Sequence, residues 1–138
     1  MILLDSNVVI DARDEQSPFR RWAEDVIAEA LSAGGAGLNA IVLAELCVGQ
    51  EDPAAVEVNL RAEGLHVIDV PAAASPICGR AYTLYRRARK ASGGGDAPAT
   101  PLPDFFIGAH AELMGWKLAT RDPDRIRTYF PSVNLLEP

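Results

Sequence analysis

Short apolar runs alternate with longer segments of helical periodicity along the whole chain, and this alternation limits the possible folds more than any other feature. Alternation of this kind predicts a parallel sheet with helices on both faces, an α/β architecture. In such a sheet, ligands bind at the carboxyl ends of the strands. The predicted strands are 2–4, 36–38, 66–70, 116–119 and 133–135.

The predicted helices lie between these strands, where apolar residues recur at three- and four-residue intervals. Ser17 and Pro18 form a predicted N-cap and first turn, and Asn39 is a second predicted N-cap. The Gly- and Pro-rich segment 92–103 is predicted to lack regular structure. The predicted helices are 18–33, 40–48, 53–64, 77–90, 104–114 and 123–129.

Length and composition indicate one domain over residues 1–138, because a chain of 138 residues that is 49% hydrophobic can bury a single full core. No apolar run approaches the roughly 20 residues of a membrane span, and the N-terminus lacks signal-peptide features, so we expect a cytoplasmic protein. Cys47 and Cys78 lie in apolar surroundings without C-x-x-C spacing, which favours reduced core thiols over a disulfide or zinc site. The net charge of −6 argues against nucleic-acid binding by bulk attraction and suggests a basic partner.

Four carboxylates from separate segments are predicted to meet at the carboxyl edge of the sheet. Asp5 and Asp122 follow predicted strands, and Asp104 lies in the first turn of a helix that returns to the sheet. Glu45 is the only charge between residues 40 and 49, so it needs a partner or stays protonated. Gathering these acids has little structural benefit, since unpartnered carboxylates repel one another at short range.

A cluster of carboxylate oxygens without His or Cys suits Mg²⁺ or Mn²⁺. Such ions activate water and stabilise the leaving oxygen in phosphodiester hydrolysis. Asn7 and Thr120 are placed to add neutral hydrogen bonds that orient a ligand carboxylate or the attacking water. Neither His is placed to act as the base of a metal-free ribonuclease.

Three of the four acids also have a structural alternative, whereas Glu45 resists one because the apolar run around it offers no exposed face. Asp5 could cap the following helix, and Asp104 could be a first-turn acid that the helix dipole favours. Asp122 could pair with Arg121 or cap a turn, while Asp124 competes for its role. Asn7 and Thr120 are as well explained by turn formation, and Asp11 is expected on a solvated helix end.

A basic stripe on the predicted helix 77–90 is a candidate surface for binding nucleic-acid phosphates. Its residues could contact such phosphates or form only a solvated helix face. They are Arg80, Arg86, Arg87 and Lys90.

The chain resembles the PIN domain family, and within it the small VapC-type ribonuclease toxins of toxin–antitoxin pairs. The resemblance covers essentially the whole chain, and it is carried by LLDSNVVID at 3–11, AELCVG at 44–49, LPDFFIGAHA at 102–111 and ATRDPDRI at 119–126. The family's acidic quartet falls on Asp5, Glu45, Asp104 and Asp122. The resemblance implies the sheet order 3-2-1-4-5, a homodimer, dependence on Mg²⁺ or Mn²⁺, cleavage of single-stranded RNA, and a VapB-like antitoxin whose tail enters the acidic groove.

The expected function is therefore a metal-dependent endoribonuclease toxin that cleaves single-stranded or structured RNA. The alternative is a catalytically silent module of the same fold that binds RNA or protein. An aspartyl-phosphate enzyme is disfavoured, because position 7 is Asn and Lys117 lies at the wrong end of its strand.

Overall fold

The computed structural model describes all residues from 1 to 138, and its centre is a five-stranded parallel sheet. The strand order is β3-β2-β1-β4-β5, which confirms the predicted α/β class and the order that the family resemblance implied. In register, Leu3 of β1 lies opposite Gly37 on one side and Leu118 on the other. The strands are β1 Ile2–Leu4, β2 Ala36–Asn39, β3 His66–Ile68, β4 Lys117–Ala119 and β5 Leu135–Leu136.

Seven α-helices surround the sheet, and a 3-10 turn at Ala72–Ala74 precedes the fifth. No helix combines the length and apolar character that crossing a membrane requires. The segment 92–102 contains no helix or strand, as predicted. The helices are α1 Ser6–Arg13, α2 Arg20–Ser32, α3 Ala40–Cys47, α4 Pro53–Ala62, α5 Ser75–Ala91, α6 Pro103–Met114 and α7 Asp124–Tyr129.

The central strands are the most buried elements, and their leucines are part of the hydrophobic core. Leu3, Leu4 and Leu38 are fully buried, whereas the edge strand β3 is partly exposed. The predicted cap at Asn39 is confirmed, since its Oδ1 accepts hydrogen bonds from the backbone of Ile41 and Val42. This cap starts α3 at the carboxyl end of β2 and so carries Glu45 toward that edge.

A close contact between α6 and the end of α7 holds the two acidic segments of the C-terminal half together. A Cβ atom at Gly108 would lie 2.5 Å from Cδ2 of Phe130, so the buried Phe130 ring packs directly on the α6 backbone. Only glycine permits this approach. It fixes α6, which carries Asp104 in its first turn, against the segment that follows Asp122.

Two sequence-based expectations are wrong. Asp11 is buried rather than solvated, because its carboxylate is bonded to Arg121 and Ser17. Ser17 is not the N-cap of α2, which begins at Arg20; the Ser17 hydroxyl donates to Asp11 at 2.7 Å and accepts from the Phe19 backbone N–H at 3.1 Å. The bond between Asp11 and Arg121 joins residues more than 100 positions apart, which local patterns do not reveal.

Candidate active site

Asp5 is the most extensively bonded of the four predicted acids. Its backbone N–H donates to the Ala119 carbonyl at 3.0 Å, which extends the β1–β4 pairing and sets Asp5 beside Thr120. Its Oδ1 accepts from the Ser6 backbone at 2.7 Å, and its Oδ2 accepts from Thr120 Oγ1 at 2.7 Å. Asn7 Nδ2 also donates to Oδ2, at 2.9 Å. Asp5 therefore caps α1 with one oxygen and joins the side-chain cluster with the other.

Thr120 and Asn7 connect Asp5 to the segment after β4. The buried Thr120 hydroxyl accepts from the Asp122 backbone N–H at 3.1 Å and from Asn7 Nδ2 at 3.2 Å. Asn7 Oδ1 accepts from the Arg121 backbone N–H at 3.0 Å, and Asn7 Nδ2 lies 3.4 Å from Asp122 Oδ2. These bonds fix Asp122 near Asp5, although the Asp122 side chain itself is exposed.

Asp104 lies in the first turn of α6 and is half-buried. Its Oδ2 accepts a hydrogen bond from Arg125 Nη1, and the Arg125 guanidinium lies 5.7 Å from the centre of the Tyr85 ring. Asp5, Asp104 and Asp122 all line one cavity of about 280 Å³. The structure thus brings together three of the four predicted carboxylates.

Glu45 lines a neighbouring cavity of about 620 Å³, between α1, α3 and α4. Ile10 lines both cavities and forms the ridge between them. The Oε2 atom of Glu45 is buried and has no hydrogen-bond partner. Burial raises the pKa of Glu45, a hydrogen bond from Ser6 opposes this, and the charges of Asp5 and Asp104 raise it further.

The pKa of Asp5 is also raised, chiefly because burial disfavours its charged form. The hydrogen bonds from Thr120 and Ser6 lower it, while the charges of Asp104 and Asp122 raise it. Two of the four acids are therefore held in surroundings that lack enough positive charge. A bound cation would supply it.

The residues at this edge fit a hard divalent cation by their chemistry. Every candidate ligand is a carboxylate oxygen, as Mg²⁺ and Mn²⁺ prefer, and Glu45 Oε2 lacks any other partner. No three acidic, His or Cys side chains are positioned to hold one ion together in the present arrangement. Arg125 is also bonded to Oδ2 of Asp104, one of the candidate ligand atoms.

The structure separates the members of the predicted basic stripe. Arg80 is bonded to Glu112 at 2.9 Å, so its charge is already compensated. Arg86, Arg87 and Lys90 line a separate cavity of about 270 Å³ with Asp96.

Two arginines near the acids were missed as site residues from the sequence, Arg121 and Arg125. Arg121 pairs with Asp11 and not with Asp122, at 2.9 Å. The charge alternation R-D-P-D-R at 121–125 was the available signal, but it does not reveal which acids the arginines contact.

Comparisons with known proteins agree with this fold. A sequence model described as "PIN domain" matches residues 2–131. A search of curated proteins found no match. Among solved structures, VapBC2 from Rickettsia felis bound to a promoter DNA fragment is similar over 100% of this chain and 99% of that chain, with a TM-score of 0.68 and 19% identity.

Two further solved structures show the same fold. The DNA-bound VapBC of Salmonella typhimurium has a TM-score of 0.63 and 20% identity, over 99% of this chain and 96% of that chain. VapC20 of Mycobacterium tuberculosis, described as a Sarcin-Ricin loop cleaving toxin, has a TM-score of 0.64 and 15% identity, over 97% and 99%. At these identities the likeness shows the fold alone.

Proposed function

The chain belongs to the PIN domain family, and on this premise we propose that it is a Mg²⁺- or Mn²⁺-dependent endoribonuclease. The observation that carries the proposal is the acidic edge of the sheet. Three carboxylates line one cavity there, and beside them Glu45 has a buried oxygen without a partner and a raised pKa. This arrangement offers only oxygen ligands to a cation.

In the proposed mechanism, Asp5, Glu45 and Asp104 would hold the metal, and Asp122 would hold a second ion or act through water. A bound ion would supply water activation and charge stabilisation at the leaving oxygen of the phosphodiester. Thr120 and Asn7 orient Asp5 by donating to its Oδ2. Arg125 is bonded to Oδ2 of Asp104, so this carboxylate would bind a metal through Oδ1, or through both oxygens once Arg125 releases Oδ2.

We further propose that the protein is the toxin of a VapBC-like pair, inhibited by a VapB-like antitoxin. The similar structures include VapBC complexes. The net charge of −6 and the raised pKa of Glu45 both favour a basic side chain at the acidic edge. Apolar residues form half of the lining of the Glu45 cavity, including the exposed Val48, which suits a tail that carries apolar and basic residues. A homodimer and a cytoplasmic location belong to the same proposal.

For RNA binding beyond the acidic edge we propose Arg86, Arg87 and Lys90, which line one cavity near the C-terminal end of α5. Arg80 contributes less, because Glu112 already pairs with it. Contacts of this kind make binding dependent on salt concentration.

The test is cleavage of a mixed single-stranded RNA pool by the purified protein, with Mg²⁺, with Mn²⁺ and with EDTA. We expect metal-dependent products with 5′-phosphate and 3′-hydroxyl ends, and none from Asp5→Asn. Asp25→Asn is the matched control, since Asp25 is exposed on α2 and lines none of the cavities at the acidic edge.

Cleavage that persists in EDTA, or in Asp5→Asn, would contradict the proposed site. A folded protein, free of antitoxin, that binds RNA without cutting under either metal would instead support the silent interaction module. Either result is read against the activity of Asp25→Asn.

A further inference from the structure

The Arg121 side chain, at the acidic edge of the sheet, has N–H groups that donate to no protein atom. Arg121 lines both the cavity of about 280 Å³ that holds Asp5 and an adjoining cavity of about 390 Å³ beside Asp124 and Arg125. Asp104 and Asp122 line both cavities with it. Arg121 therefore lies where the two spaces meet, next to the carboxylates.

The guanidinium of Arg121 is held at one end. Its Nη1 donates to Asp11 Oδ1 at 2.9 Å and to Asp11 Oδ2 at 3.0 Å, and the buried Asp11 also accepts from Ser17 Oγ at 2.7 Å. The Phe19 ring lies against the guanidinium, with its centre 5.5 Å from Cζ. Because the Arg121 backbone N–H is bonded to Asn7, both ends of the side chain are fixed.

The other end of the guanidinium is free. All of the hydrogen bonds from the Arg121 side chain leave from Nη1, so the N–H groups of Nε and Nη2 have no protein acceptor. Arg125, the other cation of the adjoining cavity, is already bonded to Asp104. Two adjacent donors in the plane of a guanidinium match the oxygens of a phosphate.

We propose that Arg121 binds a phosphate of the RNA strand through Nε and Nη2, while Asp11 and Phe19 hold its guanidinium in position. This inference rests on the proposed ribonuclease function and adds a substrate contact to it. The cluster of acids repels an anionic strand, and Arg121 presents two unused N–H donors in a fixed position beside that cluster. Asp11 acts only through Arg121 and is a positioning residue.

The test measures binding of a fluorescein-labelled single-stranded RNA by anisotropy, in Mg²⁺, over a series of salt concentrations. All proteins carry Glu45→Gln to prevent cleavage during the titration. Arg121→Met should weaken binding roughly 10- to 100-fold, as expected for a lost charge-assisted contact. It should also reduce the slope of log affinity against log salt by about 0.7, the value for one phosphate on a single strand.

Two further variants separate the contact from general effects. Arg20→Met is the matched control, since Arg20 is 39% exposed against 36% for Arg121 and pairs only with acids on the surface. It should leave both affinity and slope unchanged. Arg121→Lys should keep the salt slope and lose part of the affinity, because lysine keeps the charge but not the planar pair of N–H donors.

Unchanged affinity and slope in Arg121→Met, or equal losses in Arg20→Met, would overturn the inference. If Arg121→Met does not fold, Asp11→Asn serves as the test variant. A lower affinity for the RNA with an unchanged salt slope supports the contact between Arg121 and a phosphate, and an unchanged affinity overturns it. Absence of RNA binding and cleavage in the parent protein would refute the proposed function itself, which is a different result.

Discussion

Replacing Thr120 by valine removes a single hydroxyl at the centre of the candidate site and keeps the shape of the side chain. That hydroxyl donates to Asp5 Oδ2 at 2.7 Å and accepts from the Asp122 backbone at 3.1 Å and from Asn7 at 3.2 Å. The bond to the carboxylate has a value of about 1.5–3 kcal/mol, and each neutral bond about 1 kcal/mol. Water can replace the bond to Asp122, which is exposed. We therefore expect a loss of about 2–3 kcal/mol in the free energy of unfolding near neutral pH.

This loss should depend on pH in a defined direction. Burial already raises the pKa of Asp5, and the Thr120 hydroxyl opposes that rise because it stabilises the charged form. Without the hydroxyl the folded-state pKa rises further above the unfolded value. Proton uptake by folded Asp5 then favours folding in acid, and this benefit is lost as pH rises through the raised pKa. Thr120→Val should therefore cost less in acid than at neutral pH.

The assay is urea unfolding in EDTA at about pH 7.5, well above the ordinary pKa range of carboxyl groups, and at about pH 4.5, close to that range. Burial lowers the pKa of His110 in the folded protein. The unfolded chain therefore binds a proton at His110 more readily than the folded protein, and every variant loses stability at pH values below the ordinary pKa range of histidine. That effect cancels in the difference between variant and parent. Thr120→Ser keeps the hydroxyl, and Thr83→Val removes an exposed hydroxyl bonded only to a carbonyl in its own helix. Equal losses at both pH values, or a larger loss in acid, would refute this account of Asp5.

Three other predictions follow from single contacts. Glu45→Gln should reduce cleavage at least about 100-fold. The free energy of unfolding without metal should stay equal or rise by up to about 1 kcal/mol, because the substitution removes a poorly solvated charge. A clearly lower melting temperature in EDTA would contradict this. Gly108→Ala places a Cβ atom 2.5 Å from the Phe130 ring and should destabilise by about 1–3 kcal/mol despite a helix-propensity gain of about 1 kcal/mol, as measured by urea unfolding. Tyr82→Phe removes a 2.6 Å hydrogen bond to the Pro98 carbonyl, and should speed proteolysis within 92–102 while costing about 1 kcal/mol or less overall.

Much of the fold could be predicted because its determinants are local. The apolar runs placed all five strands to within about two residues, and Asn39 marked the start of α3. In a parallel sheet the carboxyl ends of the strands lie at the same edge. Asp5 and Asp122, which follow two strands, could therefore be placed at that edge from the sequence alone. The sheet order came from family resemblance, since no local pattern determines it.

The contacts that could not be predicted join distant segments. The pairing of Arg121 with Asp11 spans 110 residues, and Asp11 is buried although the sequence pattern predicts it at the surface. Likewise, the bond between Arg125 and Asp104 and the separation of Glu45 from the other acids by Ile10 depend on packing distances. Periodicity gives the face of a helix, but it does not show which charge lies opposite.

Asp5 shows why structural and catalytic explanations of one residue need not exclude each other. Its Oδ1 caps α1 through the Ser6 backbone, as the structural alternative expected, while its Oδ2 is bonded to Thr120 and Asn7 inside the acidic cavity. Because the cap fixes the rotation of the carboxylate, the residue reaches the cavity in one orientation. Asn at this position would keep an oxygen for the cap but would replace the other with a donor. Asp5→Asn should therefore preserve helix α1 and lose the proposed metal ligand, which separates folding from activity in a single variant.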